Sequence, residues 1–274
     1  MTVTDFVAQA RGLPAASPAA SACIGVQSQR MTPPTRTVWL LALLASLAVL
    51  FFGVCFQVSL AQHWTRPARL PYGVNNPVLA MQMAKPPWPA EMLAPGRNMA
   101  EMTHQQYIDF GYIPSYAALF TCIAILQCSS GRRWIAVLGP ASIVLILVAA
   151  GFDVAENLAI LGVTQRHNPA AWASIRPYSL VKWSCAFGAI LFEAPFYLTV
   201  EGLPVLARLL ACILGAASVM AGLLGLLCSL TGNEKGIGIA MLPLLVAMLV
   251  MPPFLWLGSR AFQPKIGRTG TPSA

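Results

Sequence analysis

The chain has 274 residues, 57% of them hydrophobic and only 9% charged, with a formal net charge of +8 and a pI near 9.4. A soluble domain carries about 25% charged residues, so this composition excludes an ordinary water-soluble fold and makes membrane lipid the expected surrounding partner. The 17 basic residues stand singly or in pairs between apolar runs, which excludes a nucleic-acid-binding face and leaves them to orient the chain in a bilayer.

Residues 1–36 are rich in Ala, Ser, Pro, Thr and Gln without periodicity, and are expected to form a disordered N-terminal tail. The first apolar run, 38–61, holds no charge, and at about 1.5 Å per residue it is long enough to cross a hydrocarbon core of about 30 Å. Counted from Met31, Arg36, this run and Ser59-Leu60-Ala61 together resemble a signal peptide, although the run exceeds the usual apolar region of about 7 to 15 residues. Residues 62–107 contain seven prolines, which predicts a long outer loop with at most short helices.

Five further spans follow at about 108–127, 134–163, 178–200, 204–230 and 237–257, and residues 259–274 form a short polar tail. The expected fold is therefore all-α, a polytopic transmembrane helical bundle of about six spans within residues 37–258. The run 134–163 is longer than a membrane is thick, so one end must tilt or protrude. In the fifth span Ala207, Ala211, Gly215, Ser218, Gly222, Gly225 and Ser229 recur every three or four residues. That stripe predicts a closely packed helix partner.

Placing both termini in the cytoplasm puts Arg30, Arg36, Arg132, Arg133, Arg208, Arg260, Lys265 and Arg268 inside, against Arg66, Arg69, Arg97, Arg166, Arg176 and Lys235 outside. The excess of inner basic residues favours this multi-pass topology in the cell membrane.

Charged residues inside spans cost about 2.5 to 3.5 kcal/mol each at a helix centre and so mark candidate sites. In the third span Asp153, Glu156 and Asn157 share one helical face. Counted from Trp134, Asp153 lies about 28 Å along the axis, in the outer part of the bilayer. Lys182 lies about one turn into the antiparallel fourth span, at a similar level. Asp109, with Tyr107, Tyr112 and Tyr116, brings the second span to the same region.

These groups either lock three helices together or line a cavity open to the outside, where carboxylates can bind a cation, relay a proton or orient a lipid headgroup. Glu193, beside Pro195, is a secondary candidate: a gate at a kinked helix, or a helix-end residue that snorkels.

The pattern Gly151-x-Asp153-x-x-Glu156-Asn157, followed by a lysine in the next span, resembles bacterial multi-pass membrane proteins of uncharacterised activity that share an intramembrane Asp-x-x-Glu-Asn element. The resemblance covers two spans and implies a bacterial inner-membrane location. It brings no activity with it.

Six of the seven cysteines fall in or at the edges of apolar runs, with no CxxC or Cys/His spacing, so they read as packing residues and no metal is expected. Met81, Met83, Met92, Met99 and Met102, with His63 and His104, have spacings that suit soft copper but read better as apolar filler. Trp64, Trp134, Trp183 and Trp256 near span ends are expected interfacial anchors. No nucleotide, nucleophile-elbow or zincin motif is present, and no cofactor is expected. Three function classes remain: a small-solute or proton-coupled transporter, a membrane-embedded lipid-binding protein or enzyme, and a non-catalytic scaffold or assembly factor.

Overall fold

The computed structural model describes residues 33–65, 76–85, 93 and 96–261. Met31 and Met92 lie outside the described residues, as do most of both expected tails. Among these described residues seven α-helices follow in order: α1 (Pro33–His63), α2 (Pro77–Gln82), α3 (Gly96–Cys128), α4 (Arg133–Thr164), α5 (Trp172–Thr199), α6 (Val205–Thr231) and α7 (Glu234–Ala261). A 3-10 turn, Pro169–Ala171, precedes α5.

The connectors at 129–132, 165–171, 200–204 and 232–233 are short, which makes successive long helices antiparallel neighbours. Each long helix packs against the next, and α7 returns to pack against α1, so the six long helices close into a ring. The ring has a terminal side, carrying the start of α1 and the end of α7, and a loop side, carrying the end of α1 and α2. The seam between α1 and α7 is aromatic. Trp39 is fully buried, with its ring centroid 5.5 Å from that of Phe254, and it sits directly over Gly258.

Five helices, α1, α3, α4, α6 and α7, are long and apolar enough to cross a membrane. The protein is an integral membrane protein of all-α architecture. Its outer circumference is apolar: Leu44 is 63% exposed, Val137 66% and Leu242 62%. Its interior holds the polar groups. This is the reverse of a soluble bundle and matches a hydrocarbon surrounding. Helix α5, with 28 residues, is less apolar because it carries Arg176, Lys182 and Glu193. It lies between α4 and α6.

Two boundaries differ from the sequence expectation. Residues 96–107 are not loop but the first three turns of α3, because no proline falls between Pro95 and Pro114 and because Glu101, Met102, Gln105 and Gln106 turn inward. Helix α5 begins at Trp172 rather than near Tyr178. Pro177 lies close to the helix start, where its ring removes only one backbone bond, and the buried Trp172 and Ile175 anchor that first turn.

The loop side also folds back into the ring. Asn76 caps α2 by accepting from the backbone N–H groups of Val78 (2.9 Å) and Leu79 (3.2 Å), and Pro77 takes the first helical position. Residues 78–84 are all buried, and α2 rests against α5 and α7. Lys85 and Arg176 both pair with Glu234, at 2.7 and 3.4 Å, and tie the end of this segment to α5 and α7.

The small-residue stripe of α6 faces α5 of the same chain. Gly215 receives Leu198, Gly222 lies against the backbone of Leu191, and Gly225 receives the ring of Phe187. Absence of side chains lets the two backbones approach. Gly232, at φ 65°, ends α6 in the left-handed conformation that leaves most residues strained.

Gly222→Ala should therefore lower the thermal stability of the detergent-solubilised protein, by about 1 to 3 kcal/mol, because the added methyl meets Leu191 backbone. Gly151→Ala, where nothing lies within 4 Å of the added carbon, should be neutral or stabilising by up to about 1 kcal/mol. Thermal unfolding of the two variants side by side distinguishes close packing from a general intolerance of larger residues.

Candidate functional site: a buried polar cluster joining α2, α3, α4 and α5

Residues three and four apart on a helix share a face, so α4 turns Asp153, Glu156 and Asn157 toward the ring interior together. Helix α5 runs the other way and presents Lys182 with Ser179 one turn before it. The Lys182 ammonium sits between the two acids, 2.8 Å from Asp153 Oδ1 and 2.7 Å from Glu156 Oε1. It also lies 5.0 Å from the centre of the Trp183 ring.

The remaining carboxylate oxygens are also partnered. Tyr116 donates its hydroxyl to Asp153 Oδ2 at 2.9 Å. Gln82 donates to Glu156 Oε1 at 2.6 Å, and the Ser179 hydroxyl donates to Glu156 Oε2. Asn157 donates to Asp109 Oδ2 at 2.8 Å, while its own Oδ1 is buried without a donor. The five residues nominated from sequence, Asp109, Asp153, Glu156, Asn157 and Lys182, thus form one cluster, with α3, α4 and α5 meeting as expected.

The cluster is not open. Asp153 is 5% exposed, Glu156 0% and Lys182 4%; only Asp109 is half-buried. Among the described residues α2 folds back over this level and places Gln82 directly on Glu156, so the outward cavity, one of the two sequence readings, is not seen there. Gln82 and Ser179 carry no signal of their own in the sequence. They are ordinary polar residues whose roles appear only when distant segments meet. Tyr107 and Tyr112 lie apart from the carboxylates' hydrogen bonds: Tyr107 accepts from Gln165 at 2.8 Å, and the Tyr112 ring lies tilted against that of Tyr116, 5.6 Å between centroids.

Glu193 is fully buried rather than snorkelling to a surface. Ser142 of α4 donates to its Oε1 at 2.8 Å, and its Oε2 has no partner. Gln127, at the end of α3, closes over the same region by donating to the Phe192 carbonyl at 2.8 Å. Helix α5 continues through Pro195 to Thr199, so Glu193 is held about two turns inside the helix end, too deep for a short side chain to reach the surface.

A further buried acid was hidden by the loop reading of residues 62–107. Glu101 of α3 is 4% exposed and accepts from Ser59 at 2.6 Å and from Gln105, with His63 at 3.6 Å. One turn earlier, Asn98 makes a two-way bond with the Thr65 backbone, 2.9 and 2.8 Å, fixing the chain as it leaves α1. The detectable signal was the four-residue spacing of Ser59 and His63 and of Glu101 and Gln105, which matches two helical faces.

Three of the methionines singled out from the sequence are packing groups. Met81, Met83 and Met102 are fully buried in an apolar cluster with Ile160, Ile175 and Phe187. Trp134 and Trp256 are exposed near helix ends, and Arg260 lies 3.9 Å over the Trp256 ring. Trp183 differs from the expected anchor role: it is half-buried and stacks on Phe187.

Removing the lysine leaves two buried carboxylates facing each other, so Lys182→Met should destabilise by about 3 to 5 kcal/mol. Adding Asp153→Asn and Glu156→Gln to that variant should restore much of the loss, since the polar shapes then remain without the charge. Thermal unfolding in detergent measures both. An equal loss in the single and triple variants would show that the charges do not act as a unit.

No protein-family model, no curated protein and no solved structure matches the chain.

Proposed function

We propose that the protein is a proton-coupled transporter of small solutes in a bacterial inner membrane, with α5 as its sixth span and both termini cytoplasmic. The observation that carries this reading is charge stoichiometry. Asp109, Asp153 and Glu156 act on one another and on Lys182, so the group has three carboxyls for one ammonium. A structural lock needs one acid per base. With three, the group has more acids than the lysine needs, and a medium of low dielectric penalises the excess of negative charge. Proton loading and release would thus change which acid holds the lysine, and through it the contact between α4 and α5.

The closed cluster supports the occluded state of such a cycle, with Gln82 on α2 as its cover. Helices with internal prolines, Pro114 in α3, Pro140 in α4, Pro195 in α5 and Pro243 in α7, supply points where a helix can bend. The inner location of the termini rests on Arg36, Arg132, Arg133, Arg208 and Arg260, which share the terminal side of the ring.

A second reading has its own support. Every oxygen of Asp153 and Glu156 has a partner, as in a permanent latch that holds together a scaffold or assembly factor. Reconstituted vesicles containing a trapped pH indicator separate the two. In a panel of amines, amino acids and organic acids, the transporter reading expects solute-dependent proton flux that Glu156→Gln abolishes while thermal stability stays within about 1 kcal/mol. The latch reading expects no flux with any solute, and a stability loss in Glu156→Gln and Asp153→Asn alike.

A further inference from the structure

At the terminal side, away from the carboxylate cluster, the ends of α4, α5 and α6 border a cleft of about 430 Å³. Arg132, Glu201 and Arg208 line it. Arg132 and Glu201 pair at 2.7 Å. Arg208 forms no ion pair with any described residue, so the cleft keeps one uncompensated positive charge. A second hollow of about 370 Å³ adjoins it, lined by Val205, Arg208, Leu209 and Cys212. Arg208 and Cys212 belong to both, which makes the two hollows one continuous feature with a charged and an apolar part.

The apolar part lies along α6. Positions 205, 208, 209 and 212 fall on one helical stripe, and Val205 and Leu209 are 83% and 56% exposed, on the apolar outer circumference of the ring. The charged part lies at the start of that helix, where Pro204 provides no side-chain cap and the first N–H groups have no acceptor within the helix. A positive helix end, an unpaired guanidinium and an adjoining lipid-facing groove are matched by one kind of molecule, with a phosphodiester at one end and a hydrocarbon chain at the other.

We infer that this cleft binds an anionic glycerophospholipid. Its phosphodiester sits on Arg208 and the amino end of α6, and one acyl chain lies in the groove of Val205, Leu209 and Cys212. One negative charge on the phosphodiester balances the one positive charge of the cleft. Glu201, which occupies Arg132, holds back the second guanidinium and limits the site to a singly charged headgroup. This site is independent of the proton-coupled reading and needs only that α6 spans the membrane.

Native mass spectrometry of the full chain in detergent, titrated separately with phosphatidylglycerol and phosphatidylcholine, tests the inference. Wild type should retain phosphatidylglycerol about fivefold more strongly, the factor that one interfacial arginine contributes against anionic lipid. Arg208→Ala should reduce that to the phosphatidylcholine level, Arg208→Lys should keep most of it, and Arg260→Ala should change nothing. If Arg208→Ala fails to fold, Glu201→Gln provides the second arm, since it frees Arg132 and should strengthen phosphatidylglycerol retention. Equal retention of the two lipids by wild type means annular lipid only and overturns the site. So does a preference that survives Arg208→Ala, or no gain in Glu201→Gln. Inorganic phosphate that displaces the lipid completely would show a free-anion site and overturn the lipid assignment.

Discussion

A lysine held between two carboxylates inside a lipid-facing ring is the constraint around which the rest of the structure is arranged. In a medium of low dielectric, Asp153, Glu156 and Lys182 can be buried only if each charge faces another and the remaining lone pairs find donors. That requirement sets the register of α4 against α5 to within one turn. It also draws in Tyr116 from α3, because Asp153 Oδ2 would otherwise face hydrocarbon, and Gln82 from α2, which gives Glu156 Oε1 a second donor beside Lys182. One ion triad therefore specifies the relative position of four segments that are far apart in the chain.

The small residues of α6 and the charged residues of α5 are two halves of the same solution. Helix α5 is the least suited of the long helices to lipid, and it is enclosed by α4 on its charged side and by the glycines and alanines of α6 on the other. Gly222 and Gly225 bring α6 close enough to cover α5 with backbone rather than with flexible side chains. The apolar residues displaced from the interior, such as Leu206 and Leu230, then form the outer wall. Packing of small groups holds one flank of α5 and electrostatics the other.

The long apolar runs made the membrane class and most helix boundaries legible, because twenty uncharged residues in succession have few other uses. The cluster was legible as well, since Asp153, Glu156 and Lys182 are out of place in spans and helical geometry alone puts them at one depth. What escaped was set by distance in the chain. Gln82 becomes significant only when α2 folds back to reach Glu156, and Ser179 only when α5 packs against α4. Glu101 was obscured by the prolines that precede it, and the turns 96–107 are too polar to register as part of a span. Glu193 was assigned to a helix end because local sequence cannot show that Gln127 and Ser142 close over it.

The seam between α1 and α7 bears on how the protein is made. Trp39 lies in α1, the first helix of the ring to leave the ribosome, whereas Gly258 and Phe254, which receive it, lie in α7, the last. Through most of synthesis α1 must wait in the bilayer with one face uncovered, which lipid permits because a Trp ring is no worse off against acyl chains than against another helix. The circle can close only after the final span is released. Its last contact is therefore between α1 and α7, and a truncated product lacking α7 would be left as an open arc with its polar interior facing lipid.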